Sequence, residues 1–331
     1  MSEKRIPWLD ICRGIGIILV VLGHSAIPEV LRKYIFSFHM PLFFFISGFL
    51  FKKNTNLSIV SYVLHKVRTL LLPYFYFSII IVICYYILNE LTIKKGLINV
   101  LLGLGGHHGI ALWFIISLFI TEILFYIVYN NVSNKNLTIY ILVSFVVGYI
   151  MYKMQIHLPY KFEVTFTAIV FYYLGYIFRK NDLLKSLNKY FYLFGLMFIS
   201  ILFSSLNSRV DMNYNQLGNI IYFYLSAISG ILYLHIISIN FITMNKYHLM
   251  AFLNKILIFL GMNSLIILAI HQITPQMISF LFQKQLYIKL FYSIFLEKLL
   301  TLSAILIIIM FINKYAPFLV GKKLKTNETK F

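Results

Sequence analysis

The chain is a succession of apolar runs separated by short polar links. A helix that spans a bilayer needs about 20 largely apolar residues, and runs of that length recur from end to end. The pattern predicts about ten transmembrane helices, at roughly 8–28, 35–51, 69–89, 110–130, 137–152, 163–178, 190–206, 218–240, 256–280 and 290–312. A short basic tail follows over 313–331. No link is long enough for a soluble domain, and the chain carries no internal repeat. Residues 1–331 therefore read as a single integral membrane domain, all-α and polytopic.

Composition agrees. Of the 331 residues, 60% are hydrophobic and 12% charged, more apolar surface than a soluble fold can cover. The net charge of +19 would suit nucleic acid, but most Lys and Arg lie in the links. There they set topology, so a nucleic-acid partner is excluded in favour of the lipid bilayer. Two cysteines within apolar runs, Cys12 and Cys84, argue against a disulfide framework. Lys4 and Arg5 before an apolar run imitate a signal peptide. Asp10 and Arg13 interrupt that run, so it reads as an uncleaved first span.

The links give the chain a direction. With the N-terminus in the cytosol, 18 Lys and Arg fall on the cytosolic side and 10 on the outer side. This excess predicts that both termini are cytosolic.

The first run, Ile6 to Pro28, contains Asp10, Arg13 and His24. Ionisable side chains inside a span are costly and mark a site. Arg13 and His24 are eleven residues apart, close to three turns, so they share a helix face about 16 Å apart along the axis. Asp10 lies about 60° from Arg13 on the same side. One face thus carries a cation near the cytosol and an imidazole near the outer surface.

Other candidates follow in order. His39 opens the second span on the outer side, close to His24 if the two helices are neighbours. Ser47 and Gly48 permit close helix packing there. Lys66 and Arg68 form a cytosolic basic cluster, suited either to anionic lipid or to the phosphates of a nucleotide-like cofactor. Trp113 opens the fourth span. Glu122, midway along it, needs a partner or a proton. The Gly103–Gly109 loop contains His107 and His108, but no third ligand is spaced to complete a metal site. Asn263 and His271 mark the ninth span. His235, in an otherwise apolar eighth span, reads as structural.

In this order the residues resemble the acyltransferase-3 family of integral membrane acyltransferases. Arg13 and His24 match its R-x10-H signature. Trp8-Leu9-Asp10, Arg13-Gly14-Ile15, Gly23-His24, Phe38-His39-Met40-Pro41-Leu42-Phe43-Phe44 and Ser47-Gly48 resemble its opening. Pro73-Tyr74, Leu112-Trp113-Phe114 and Asn263-Ser264 through His271 resemble its later landmarks. The Phe38–Phe44 text is similar to the fucose 4-O-acetylase-like branch of surface-glycan acetyltransferases. One departure is His65-Lys66-Val67-Arg68 where many relatives carry R-x-x-R. Arg68 matches the second arginine, and Lys66 stands near the place of the first.

The resemblance implies a multi-pass protein of the bacterial plasma (inner) membrane that takes an acyl group, usually acetyl, from cytosolic acetyl-CoA. The acceptor it implies is a hydroxyl of a surface glycan or polyprenyl-linked saccharide on the outer side. His24 would be the base, with Glu122 or, less suitably placed, Asp10 as its acid; Asp10 fits better as the partner of Arg13. Arg13, Lys66 and Arg68 would hold the phosphates of CoA. His39, Trp113, Asn263 and His271 would line the substrate, and no metal is expected. Homo-oligomerisation is left open. A glycan or lipid transporter using the intramembrane His, Arg and Glu as a path, or a non-catalytic relative, are the other classes compatible with the residues.

Overall fold

A computed structural model of the protein describes residues 5–52, 58–107, 110–184, 190–283 and 294–322. Lys53, His108 and the basic tail beyond Lys322 lie outside the described residues. Among the described residues the fold is helical, and the one strand-like feature is an isolated bridge between Asp211 and Gln216. The helices are α1 (Pro7–Gly23), α2 (Glu29–Leu50), α3 (Ile59–Lys66), α4 (Leu72–Ile87), α5 (Ile93–Leu101), α6 (Trp113–Asn131) and α7 (Asn134–Lys153). After these come α8 (Phe162–Lys180), α9 (Tyr190–Leu206), α10 (Ile220–Thr243), α11 (His248–Met262), α12 (Ser264–Ile270), α13 (Ile273–Gln283) and α14 (Ile294–Tyr315). Among the described residues, six helices are long and apolar enough to cross a membrane, or seven if one bent pair forms a single span.

Every predicted span contains a helix; the first ends at Gly23, capped by His24, rather than at residue 28, and three others differ for identifiable reasons. The second helix begins at Glu29, because Pro28 starts it and Arg32 pairs with Glu29 at 3.0 Å. Proline's fixed φ suits that position. The third span begins at Ile59, where the Ser58 side chain caps the helix by accepting from the Ser61 amide. His65, Lys66 and Arg68 therefore ride on a helix rather than a loop. A π turn at Val67–Leu71 leads that helix into α4 just before Pro73, whose missing N–H cannot join a regular ladder. The ninth span is broken. Helix α11 ends at Met262 and the chain bends by 66° into α12. It breaks again at His271–Gln272, since Pro275 cannot donate to the His271 carbonyl. Helix α5, capped by Thr92, occupies what the sequence pattern gave as a loop.

The chain divides into two compact units. Unit 1 comprises residues 1–57 and 120–264. Helix α2 packs there against α1, α8, α9 and α10, and α1 also packs on α11. Glycines set the closest approaches. A Cβ on Gly48 would collide with the Tyr172 carbonyl, and one on Gly175 with the Phe45 carbonyl, so α2 and α8 meet backbone to backbone. Gly14 lies against the Leu257 carbonyl and Gly261 against that of Asp10, which seats α11 on α1 in the same way. Rings of Phe125, Tyr129, Tyr172 and Tyr176 surround Phe51 at 5.0 to 6.2 Å. Aromatic pairs at such spacings add roughly 0.5–1.5 kcal/mol each beyond burial.

Unit 2 comprises residues 58–119 and 265–331. Helix α4 packs on α5 and α13, and α13 on α14. The buried Tyr74 hydroxyl donates to the Val100 carbonyl and accepts from the Gly105 amide. Asn99 donates to the Gly106 carbonyl, and His107 stacks on Tyr85 at 4.1 Å. These contacts anchor the described part of the Gly103–Gly109 loop.

Candidate functional site

Helix α1 carries the two residues singled out by their spacing. Near its start, Arg13 lies 3.6 Å from the Asp10 carboxylate, an i, i+3 pair whose side chains are 28% and 13% exposed. The guanidinium also feels the carboxylate of Glu122. The acids expected as alternatives for His24 thus both act on Arg13. A cation in an apolar segment is tolerable with such partners, since unpaired it would bear a heavy desolvation cost. Trp8 packs at this end against Phe49 and the buried His235 at 5.1 and 4.5 Å. Arg179 donates to the Phe49 carbonyl at 2.9 Å, which brings a second arginine to the Trp8 end of α1. In the sequence Arg179 had served only to set topology.

His24 caps the other end of α1 and is exposed. Its Nδ1 lies 2.9 Å from the Val20 carbonyl. A carbonyl oxygen can only accept, so this contact requires the proton on Nδ1 and leaves Nε2 as the basic nitrogen. The helix's own backbone thus helps to orient the ring. Val20 is among the last residues of α1, and its carbonyl also accepts the His24 backbone amide at 3.3 Å.

Helix α2 returns close to α1. The Phe36 ring lies 5.7 Å from that of His24 and 4.9 Å from that of His39, so one phenyl group touches both imidazoles. His39 is buried, with Nδ1 2.8 Å from the Ile35 carbonyl, the same arrangement as in His24. The neighbourhood of His24 and His39 inferred from the short connection is therefore present.

The charged groups acting on His24 include Asp211 and Arg32. Asp211 was not among the sequence candidates. It lies in the α9–α10 loop, 8% exposed, where its Oδ1 accepts from the Asn213 amide at 3.0 Å. Burial pushes its carboxyl above the ordinary carboxylate range, while the Asn213 amide and the nearby Arg209, His24 and Lys161 pull it back. Lys161 donates to the Asn213 carbonyl at 2.6 Å, and burial lowers its ammonium against the opposing pull of Glu163 and Asp211. Both Tyr160 and Lys161 have left-handed backbones, with φ of 61° and 56°. Asn215 joins them at φ 49°. Such conformations cost on the order of 1–3 kcal/mol each away from glycine, and they concentrate at functional sites. The one signal in the sequence was the loop's Asn-rich text around a single acid, Val210-Asp211-Met212-Asn213-Tyr214-Asn215.

The remaining candidates fall elsewhere. Asn263 caps α11, 4% exposed, its amide donating to the Phe259 carbonyl at 2.8 Å. Two residues before it, Gly261 touches the Asp10 backbone, so Asn263 belongs with the Arg13 end of α1. In unit 2, His271 is buried with Nδ1 2.9 Å from the Leu268 carbonyl. The neighbouring Gln272 accepts from the Ala111 amide at 2.7 Å, which ties the His271 turn to the start of α6 at the buried Trp113. Lys66 and Arg68 are also in unit 2. Gly321 packs against the Arg68 backbone and brings Lys322 of the tail to the same place. Among the described residues both cysteines are free, and no three His, Cys, Asp or Glu side chains converge to hold a metal ion.

The arrangement along α1 offers a base at one end and a paired cation at the other. A family model described as an acyltransferase domain matches residues 6–314. No curated protein and no solved structure matches the chain.

Proposed function

The chain belongs to the acyltransferase-3 family, and on that premise we propose that it moves an acetyl group from cytosolic acetyl-CoA to a hydroxyl of a surface glycan or lipid-linked saccharide. The transfer crosses a bacterial plasma membrane that the chain spans about ten times, with both termini in the cytosol. Within the family, the Phe38–Phe44 text favours the fucose 4-O-acetylase-like branch.

In this mechanism the acceptor hydroxyl gives its proton to Nε2 of His24 as its oxygen attacks the thioester carbonyl. The carbon–sulfur bond then breaks, and the imidazolium returns the proton to the departing CoA thiolate. No acyl-enzyme forms. General-base assistance of this kind contributes roughly 10²–10⁴ in rate. His39, which shares Phe36 with His24, and His271 and Trp113 bind substrate. Arg13, Lys66 and Arg68 bind the CoA phosphates, for which guanidinium is the best-matched donor. Glu122 and Asp10 hold Arg13 in place between turnovers. Asn263, at the Arg13 end, contacts the donor rather than the acceptor.

The observation that carries this reading is the His24–Val20 hydrogen bond at 2.9 Å. It supports a fixed tautomer of the neutral imidazole, with the basic nitrogen directed away from the helix. The test is labelled acetyl-CoA supplied to the purified protein in nanodiscs with cell-surface glycan as acceptor. Label should reach the glycan with wild-type protein and stay on CoA with His24→Ala. Equal labelling by both would remove His24 from the chemistry, and uptake without esterification would point to a transporter.

A further inference from the structure

Three features at the His24 end of unit 1 have no part in base catalysis. The first is the backbone strain at Tyr160, Lys161 and Asn215. The second is Asn215 itself, only 1% exposed, whose amide nitrogen has no hydrogen-bond partner among the described residues. A buried donor left in that state is uncommon and calls for an explanation. The third is the way two loops interlock. Lys161 donates to the Asn213 carbonyl and lies 5.7 Å from the centre of the Tyr214 ring, while the Asp211 carboxylate acts on both Lys161 and His24.

The charges of this cluster cancel. Lys161 and Arg209 are matched by Asp211 and Glu163, and His24 is neutral when it acts as a base. Arg32, which also acts on His24, is paired with Glu29 at 3.0 Å. An anionic ligand would meet two carboxylates with no surplus of cations. An uncharged polyol would find acceptors, donors and aromatic faces together. Tyr160 and Tyr214, one from each loop, are 43% and 44% exposed and available for stacking. Tyrosines at a membrane surface also serve as interfacial anchors. Anchoring requires neither a left-handed Tyr-Lys pair nor a buried, unpartnered amide.

We infer that the Pro159–Lys161 turn and the Val210–Asn219 loop form the acceptor subsite beside His24, and that this subsite takes an uncharged glycosyl ring. The tyrosines stack on the ring's apolar face, Asp211 accepts from a vicinal hydroxyl pair and Lys161 donates to a ring or hydroxyl oxygen. This inference rests on the assignment of His24 as the base.

The experiment is saturation-transfer NMR on the full chain in nanodiscs, without acetyl-CoA. The probes are neutral methyl pyranosides (glucoside, galactoside, fucoside and N-acetylglucosaminide) and methyl glucuronide as the anionic counterpart. At least one neutral ring should bind, and the glucuronide should bind about tenfold more weakly, the loss expected when a charged group enters a cluster with no surplus cation to receive it. Tyr214→Ala, a change at an exposed position, and Asp211→Asn should each weaken the neutral probe by a similar factor. His24→Asn should bind it as wild type does while losing transfer. The subsite is wrong if no neutral ring binds, if the glucuronide binds as well, or if Tyr214→Ala and Asp211→Asn bind normally. A His24→Asn protein that still transfers acetyl would instead refute the base, whatever the loops bind.

Discussion

Replacing His24 by asparagine separates the two jobs of the imidazole. The asparagine amide nitrogen can occupy nearly the place of Nδ1 and donate to the Val20 carbonyl, now 2.9 Å from the ring. The cap of α1 is retained, and the basic Nε2 is lost. A retained cap avoids the loss of about 1 kcal/mol that a missing hydrogen bond would cause. Thermal unfolding in nanodiscs should therefore be close to wild type. Loss of the base should lower kcat by about 10²–10⁴, or roughly 3–5 kcal/mol of barrier. The KM for acetyl-CoA should stay unchanged, because the phosphates are held elsewhere. In the wild type the rate should rise with pH as the imidazole gives up its proton, and in the variant that limb should vanish. A His24→Asn protein with kcat within threefold of wild type and the same pH limb would refute the reasoning at its centre.

Arg13→Lys should raise the KM for acetyl-CoA by about tenfold with little change in kcat, because an ammonium cannot bind phosphate bidentately; steady-state kinetics with varied donor would detect it. Glu122→Gln should also act on donor KM and on thermal stability, since Glu122 acts on Arg13, whereas a shifted pH limb in kcat would return Glu122 to the side of His24. Gly48→Val must push α8 away from α2, because even a Cβ meets the Tyr172 carbonyl; overpacking of this sort costs roughly 1–3 kcal/mol or more and should appear as a lower Tm in detergent. Exchanging neighbours, His24→Ser with Ser25→His, keeps an imidazole at nearly the same depth but turns it by about 100° around the axis. Ser25 already donates to the Val21 carbonyl at 2.8 Å, so the new ring has a carbonyl to bind, and labelled-acetyl transfer should still fall to the His24→Ala level.

Much of the fold was legible because apolar runs and Pro, Gly and Ser signals act locally. The helix at each predicted span follows from length and hydropathy alone. What was not legible depended on partners distant in sequence or on backbone detail. The second break of the ninth span follows from Pro275, a signal present in the text but outweighed by the run of apolar residues around it. Helix α5 was hidden because its single buried stripe, including Val100 and Asn99, is too short to give a clear period. Gly48 was picked out for close packing, yet nothing in the sequence could name Tyr172 as what it meets.

The site divides along the same line. Arg13 and His24 could be placed on one face of a helix because an α-helix has a fixed pitch, and Asp10 could be paired with Arg13 for the same reason. The partner of His24 was sought among acids, by analogy with carboxylate-oriented imidazoles. The structure shows in addition the i−4 carbonyl, which is always available. A histidine one residue beyond the end of a helix can turn its ring back to the i−4 carbonyl, which already accepts the histidine's own backbone amide. That contact adds to the backbone closure of the helix and sets the tautomer. It does so without bringing another charge into an apolar segment, where a carboxylate would itself need compensation. His271, just past the end of α12, repeats the device with the Ile267 carbonyl at 3.1 Å and adds that of Leu268, and His39 uses that of Ile35 within α2. A histidine near the end of an apolar helix is thus best read together with the residue four before it, whose side chain is irrelevant and whose carbonyl is not.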